Sequence, residues 1–307
     1  MTLPIGIHHA VLAADYHADP AESPSLSSSI AKIIIEKTPR HAWCAHPRLN
    51  PLWKNRENSA AAFDLGNVVH ELMLGKGGGF EILDFPDYKT KAAQVARNDA
   101  RAAGLTPILT HQYTQALKIC MGDSLAGIPE YVALMNGPCH AETVLIWRQR
   151  QTSSLSDYPG VLCRAMLDWI GPEPTQIWDI KTTSAGLSDA ALSRAIVNNG
   201  YDLSATFYLL GMAALFPDLA GRCKFRWIFV ETEEPFEVRV IEADATTLAI
   251  GLKKATYAIE KWRRCIEDGP HISRWPGYPR RIDSLNYPQW AESAWLAREE
   301  AEAEAAQ

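Results

Sequence analysis

Gln176-Ile177-Trp178-Asp179-Ile180-Lys181-Thr182-Thr183 is a short apolar run that carries an acid and a lysine two positions apart. Strand side chains alternate faces, so Ile177, Asp179 and Lys181 fall on one side. Upstream, Val161–Trp169 reads as another strand, with Leu162, Arg164, Met166 and Asp168 on one face. Gly171-Pro172-Glu173-Pro174 between them is a turn signal, and folding back there brings Asp168 beside Asp179 and Lys181. A third apolar run, Ala141–Arg148, precedes them across Ser156-Asp157-Tyr158-Pro159-Gly160, which predicts a meander of three strands.

Charges at the ends of apolar strands need partners, because an unpaired buried charge is costly. Two neighbouring carboxylates repel unless a cation lies between them. A hard divalent ion suits them, and magnesium commonly takes one or two carboxylates with water and phosphate. Lys181 adds a donor that orients a water or meets developing phosphorane charge. The set Asp168, Asp179, Lys181 therefore points to metal-assisted phosphodiester hydrolysis. An Asp-x-Lys triplet alone reads as a surface ion pair; here the apolar flanks and the phase of Asp168 argue for a site. Glu142 shares a face with Val144 and Ile146, an odd place for a lone charge, and reads either as a further metal-site carboxylate or as a strand-end surface residue.

Working outward, residues 1–24 read as extended or turn structure. Ser27, Ser28 or Ser29 caps a helix through Ile30–Glu36, and Pro39 opens another. Residues 46–59 read as loop, and 60–75 as an amphipathic helix bearing His70. Glu71 points about 100° away from His70 and reads as solvated. Phe80–Phe85 is a short strand, and 87–136 reads as helices. Residues 188–215 are helical by period, 223–242 hold two more strands, and 245–269 is a long amphipathic helix. The whole predicts an α/β domain with a central mixed sheet flanked by helices.

Composition fits this. The 307 residues are 47% hydrophobic and 21% charged, ordinary for a globular chain with a real core. No run reaches the roughly 18 apolar residues of a membrane helix, and no signal peptide is read, so a cytoplasmic chain, with no membrane, is expected. Six scattered cysteines without a CxxC pair argue against zinc or iron–sulfur sites. The net charge of −6 runs against a uniformly basic nucleic-acid binder, although phosphate contacts can be confined to one groove.

The motifs Tyr16–Ile33, Phe63–Leu74, Ala141–Trp147, Leu162–Ile170, Trp178–Thr183, Tyr201–Gly211, Trp275–Pro279 and Tyr287–Trp290, in that order, resemble the PD-(D/E)xK nuclease superfamily. Within it they look like the exodeoxyribonuclease VIII (RecE nuclease domain) and phage lambda exonuclease branch. The resemblance implies a restriction-endonuclease-like core and a single exonuclease domain over 1–290. That domain would comprise a helical N-terminal region over 1–136 and a nuclease core over 137–266, followed by an acidic tail over 291–307. It implies Mg²⁺, with Mn²⁺ as a substitute, held by Asp168, Asp179 and the Ile180 carbonyl. By resemblance His70 and Glu142 join the metal site; His70 by itself reads as an ordinary helix-face histidine. Ser204 stands where the family often has Gln, four residues before Tyr208, which leaves the role of that helix open.

By resemblance, candidate phosphate contacts are Ser27, Ser28 and Ser29, at a helix start whose N–H groups suit an anion, and Arg164, with Ser204 in indirect reach and Tyr208 reading equally as core. Lys89, Lys91 and Arg97 form a basic cluster that could touch backbone phosphates, although each lysine reads first as part of a solvated helix face. Trp43, Trp53, Trp275 and Trp290 either stack on bases or pack in the core. By resemblance the chain degrades linear double-stranded DNA from 5′ ends, as a homo-oligomeric ring (trimer or tetramer), with a single-strand annealing protein in phage-type recombination, in a bacterial or phage-encoded setting. The alternatives are a repair or Cas4-like nuclease, whose cluster cysteines this chain lacks, and a nuclease-fold DNA-binding or assembly protein without turnover.

Overall fold

The computed structural model describes residues 2–53, 61–120, 127–137, 140–150, 160–171 and 175–305. The expected turns at 156–159 and 172–174, loop residues 54–59, the helix end at 121–126 and Cys139 lie outside the described residues. Met1–Pro276 forms one compact unit and Gly277–Gln307 a second.

The first unit opens with β1 (Gly6–His8), α1 (Ala13–His17), β2 (Leu26–Ser27), α2 (Ser28–Glu36), α3 (Pro39–Ala45) and α4 (Ala61–Leu74). A small lobe follows: β3 (Phe80–Leu83), α5 (Lys91–Ala102), β4 (Thr106–Leu109), α6 (Thr110–Cys120) and α7 (Pro129–Asn136). Then come β5 (His140–Gln149), β6 (Val161–Ile170), β7 (Gln176–Thr183), α8 (Asp189–Asn198), α9 (Tyr201–Leu215), β8 (Lys224–Glu231), β9 (Val238–Glu242) and α10 (Ala245–Asp268). The second unit holds α11 (Gln289–Ala305). Among the described residues no helix is long and apolar enough to cross a membrane.

The main sheet is mixed and seven-stranded, in the order β1-β5-β6-β7-β8-β9, with β2 attached to β6. The expected meander is β5-β6-β7. Strands β7 and β8 pair in parallel along their whole length, so a crossover through α8 and α9 joins them. Their residues are apolar on both sides, as a sheet covered on both faces requires. Phe225, Trp227 and Phe229 enter one core, with α2, α9 and α10; Ile228 and Val230 enter another, with α4 and α6. A third cluster joins the N-terminal arm to Val144, Ile146 and Leu162.

Two features depart from the sequence reading. Residues 1–24, expected as extended or turn structure, hold the helix α1 as well as the edge strand β1, paired with β5, and β2 runs parallel to β6 at Leu26↔Cys163 and Ser27↔Arg164. The stretch 87–136 is not purely helical, because β4 pairs in parallel with β3. Strands as short as β1, β2 and β4 leave too little periodicity to read, whereas the strand expected at Phe80–Phe85 is β3. Trp275 is fully buried against Trp262, and Trp43 Nε1 donates to the Pro270 carbonyl at 2.7 Å. Those two rings serve packing rather than base stacking. Trp290 is 78% exposed.

Candidate active site

The site forms where two strands diverge. Among the described residues the β6–β7 ladder has two pairs, Trp169↔Trp178 and Ile170↔Ile177. Extending that register would set Asp168 opposite Asp179, but the pairing stops at Trp169, and further along the same edge β2 takes Cys163 and Arg164. A splayed pair leaves backbone donors unmatched, and these need acceptors. Asp168 Oδ2 provides one, accepting from the Ile180 amide at 2.8 Å. The carboxylate thus bridges the mouth of the fork and fixes the distance between the strands.

Asp168 also accepts from His70 Nε2 at 3.0 Å. His70 comes from α4, whose Leu65, Val68 and Val69 pack on Trp169, Trp178 and Ile180. Gly66 permits that approach: a Cβ there would lie 3.1 Å from Thr182 Oγ1 on β7. His70 stands one turn further along the same face. On β7, Lys181 Nζ donates to Asp179 Oδ2 at 2.6 Å and lies 5.2 Å from the Tyr201 ring centre on α9.

Glu142 enters from β5. The β5–β6 ladder pairs Ala141↔Trp169 and Thr143↔Leu167 and skips Glu142 and Asp168, which that register sets opposite each other. Glu142 is buried and has φ +47°, a left-handed conformation costly for a residue with a Cβ. Lys76, just past α4, donates to the Ala141 carbonyl at 3.2 Å and to that of His9 at 2.9 Å. The backbone ahead of Glu142 is thereby held.

The electrostatics follow from burial and shared partners. Burial pushes Asp168 up, but His70, Lys181 and the Ile180 amide outweigh it and hold its carboxyl below the usual range. Asp179 is pushed up to about 6: burial and the Asp168 charge exceed the help from Lys181. Glu142 is raised by burial, only partly offset by His70 and Lys76. His70 would be lowered by burial, yet the Asp168 carboxylate raises it. Lys181 is raised by Asp179 and Asp168 against burial and stays an ammonium. Three carboxyl groups thus share too little positive charge, which a divalent cation would supply.

The residues fit magnesium better than a closed protein cage. Among the described residues no three His, Cys, Asp or Glu side chains gather tightly enough to hold an ion by themselves. Magnesium needs only one or two carboxylates, with water and substrate phosphate completing its shell.

The other expected residues divide. Ser28 Oγ donates to Tyr208 Oη at 3.5 Å, and the Tyr208 hydroxyl, raised chiefly by burial, feels both Asp179 and Lys181. These two therefore adjoin the cluster. Ser27 caps α2, accepting from the Ile30 amide at 3.4 Å, and Ser29 is exposed. Ser204 is half-buried, one turn before Tyr208.

Arg164 corrects the sequence reading. Its side chain is turned to the N-terminal arm, donating to the Ser25 carbonyl at 2.6 Å and Ser25 Oγ at 2.9 Å, and it pairs with Asp19 at 3.2 Å. A guanidinium so committed braces the arm. Lys89 and Lys91 are exposed on the small lobe, and Lys89 pairs with Asp87 at 3.3 Å. Glu71 is not simply solvated, since it accepts from the Gly79 amide at 3.0 Å. Sequence reasoning missed Lys76 and Gly66. The Gly-Lys-Gly turn after α4 and the Leu-Gly step within it were the available signals.

Residues 140–286 match the family described as a PDDEXK-like domain of unknown function (DUF3799), a span holding β5 through α10. A solved structure from Eubacterium rectale, named only provisionally as an exonuclease, superposes with a TM-score of 0.56 at 14% identity, covering 91% of this chain and 96% of that one. The protein SSO0001 aligns over 67% of this chain and 91% of its own at 16% identity, with a TM-score of 0.26 that carries no argument. No curated protein matches. Over residues 140–286 the chain is similar to a PDDEXK-like domain, and its mixed sheet flanked by helices is a fold shared with the Eubacterium rectale structure.

Proposed function

We propose that this PDDEXK-like chain is a magnesium-dependent exonuclease that hydrolyses phosphodiester bonds at the ends of linear double-stranded DNA. The observation that carries this reading is the strand fork, which gathers Asp168, Asp179, Lys181, Glu142 and His70 into one buried, under-neutralised cluster. In it Asp168, Asp179 and the Ile180 carbonyl would hold Mg²⁺ or Mn²⁺, with Glu142 and His70 in support. A bound divalent ion supplies Lewis-acid polarisation of the phosphoryl oxygen and lowers the pKa of water.

Lys181 acts as a charged donor that positions the attacking water or meets charge on the phosphoryl group, since its carboxylate neighbours keep it protonated. His70 holds the Asp168 carboxylate in place while the Ile180 amide fixes its other contact. Ser28 and Tyr208 line the approach, where a phosphate would meet the start of α2. The remaining attributes follow the branch resemblance: 5′ to 3′ polarity, a trimeric or tetrameric ring, an annealing partner and phage-type recombination.

Linear and closed circular plasmid incubated with Mg²⁺ test the reading. Wild type should digest the linear form and leave the circle intact. Asp179→Ala and Lys181→Ala should each lose at least a hundredfold in rate, of the order expected for groups acting on the transition state. Nicking of the circle would make the chain an endonuclease. No digestion by wild type, with retained binding of DNA ends, would favour the binding module.

A further inference from the structure

The Lys181 ammonium has a second partner besides Asp179. Asp179 Oδ2 accepts from its Nζ at 2.6 Å. An ammonium carries three donors, and that contact uses one. The Lys181 side chain is 24% exposed, so room remains for it to swing outward. Against that stands the ring of Tyr201, with Nζ over its face at 5.2 Å from the centre. A cation within about 6 Å of an aromatic centroid is drawn to the negative face of the ring.

The ring sits there by packing. Lys181 and Phe229 are register partners on the parallel strands β7 and β8, so both side chains rise from the same face of the sheet. Phe229 is buried, and Tyr201 rests on it with ring centres 6.2 Å apart at 47°. Burial raises the Tyr201 hydroxyl and outweighs the pull of Lys181, so the ammonium meets a neutral ring.

Tyr201 is the first residue of α9, and its neighbours fix that end of the helix. Gly200, just ahead of it, has φ +64°, which turns the chain from α8 into α9. From α2, Lys32 donates to the Asn199 carbonyl at 2.8 Å. From α10, Lys254 pairs with the buried Asp202 at 2.6 Å. Gly251 lets the same two helices close until a Cβ there would lie 2.2 Å from the Asp202 carbonyl oxygen. The chain before and after Tyr201 is thus pinned, and a side chain locked by its surroundings holds its geometry without reorganising.

A ring in this place answers a specific need. A carboxylate that serves a metal ion has less charge to offer its lysine. Lysine stems are flexible and the ammonium is strongly hydrated, so one released at the rim of a site turns to water. An aromatic face attracts the cation through the ring quadrupole and leaves its N–H donors for a water or a phosphoryl oxygen. We propose that Tyr201 is a positioning residue for Lys181: its ring face holds the ammonium at the strand fork while the Asp179 carboxylate serves the metal. The inference rests on the nuclease reading and names a residue which that reading does not use.

Carbon-13-labelled lysine in the full chain reports the contact by NMR without turnover. The Lys181 ε-methylene, assigned by its loss in Lys181→Met, should lie upfield of the exposed lysines in chelator and stay there in Mg²⁺. Tyr201→Phe should keep that position, and Tyr201→Leu should move the resonance to the exposed lysines. In digestion of linear plasmid, Tyr201→Leu should lower kcat about tenfold, of the order of a cation over a ring face, and leave KM within about twofold. Tyr201→Phe should recover most of kcat. Wild type and Tyr201→Phe carry the spectroscopic test even where Tyr201→Leu folds poorly. A wild type that digests nothing removes the nuclease reading and this role with it. Digestion by Tyr201→Leu at the wild-type rate, a loss confined to KM, or a Lys181 resonance among the exposed lysines would overturn the positioning role alone.

Discussion

Asp179→Asn isolates the cost of holding a carboxylate at the mouth of the fork. In the folded chain its pKa is about 6, against an ordinary 3.8. Between those values the folded state binds a proton that the unfolded state has released, so its contribution is most favourable below the unfolded value and is lost as pH rises through the folded one. Two units correspond to about 3 kcal/mol. Asn resembles the protonated acid in shape and charge, so variant and wild type should be equally stable near pH 4. By pH 7.5 the variant should be the more stable by about 3 kcal/mol. Urea unfolding in chelator at a series of pH values measures the difference. Saturating Mg²⁺ should then stabilise wild type and leave the variant unmoved. A difference that stays constant from pH 4.5 to 7.5, or an Asn variant that is less stable at neutral pH, would refute the idea that this carboxylate is held against burial.

Glu142→Gly removes a left-handed residue and a buried acid together, so in chelator it should be about 1 kcal/mol more stable by thermal unfolding, while digestion falls. Arg164→Met leaves the buried Asp19 carboxylate with His46 and Ser25, and should cost about 3–5 kcal/mol in denaturant. If Arg164 instead served DNA, affinity would fall with stability intact. Gly251→Ala drives a methyl into the Asp202 carbonyl and should cost roughly 2 kcal/mol despite the better helix propensity, read as a lowered urea midpoint.

Residues with their own local period were the ones legible in the sequence. Asp179 and Lys181 share a face because they stand two apart, and the apolar runs around them marked β5, β6, β7 and β8 as strands of a mixed sheet. The order of motifs pointed to His70 and Glu142, and the structure sets both beside Asp168. Arg164 shows where period alone misleads. It shares a strand face with Asp168, yet Asp19 and Ser25, far away in the chain, hold its Nη1. Lys76 and Gly66 stood in visible turn and helix signals, but their roles were not legible because those lie in what approaches them.

The amino-acid sequence by itself determined the alternation that puts an acid and a lysine on one strand face, and the apolar content that buries them. Only the tertiary structure decided that β6 and β7 diverge after two pairs, that Asp168 spans the gap to the Ile180 amide, and that α4 comes close enough at Gly66 for His70 to reach it. The physical reason is range. Side-chain alternation is a property of adjacent peptide units, whereas the divergence of the strands depends on β2, more than a hundred residues earlier, competing for the same edge of β6.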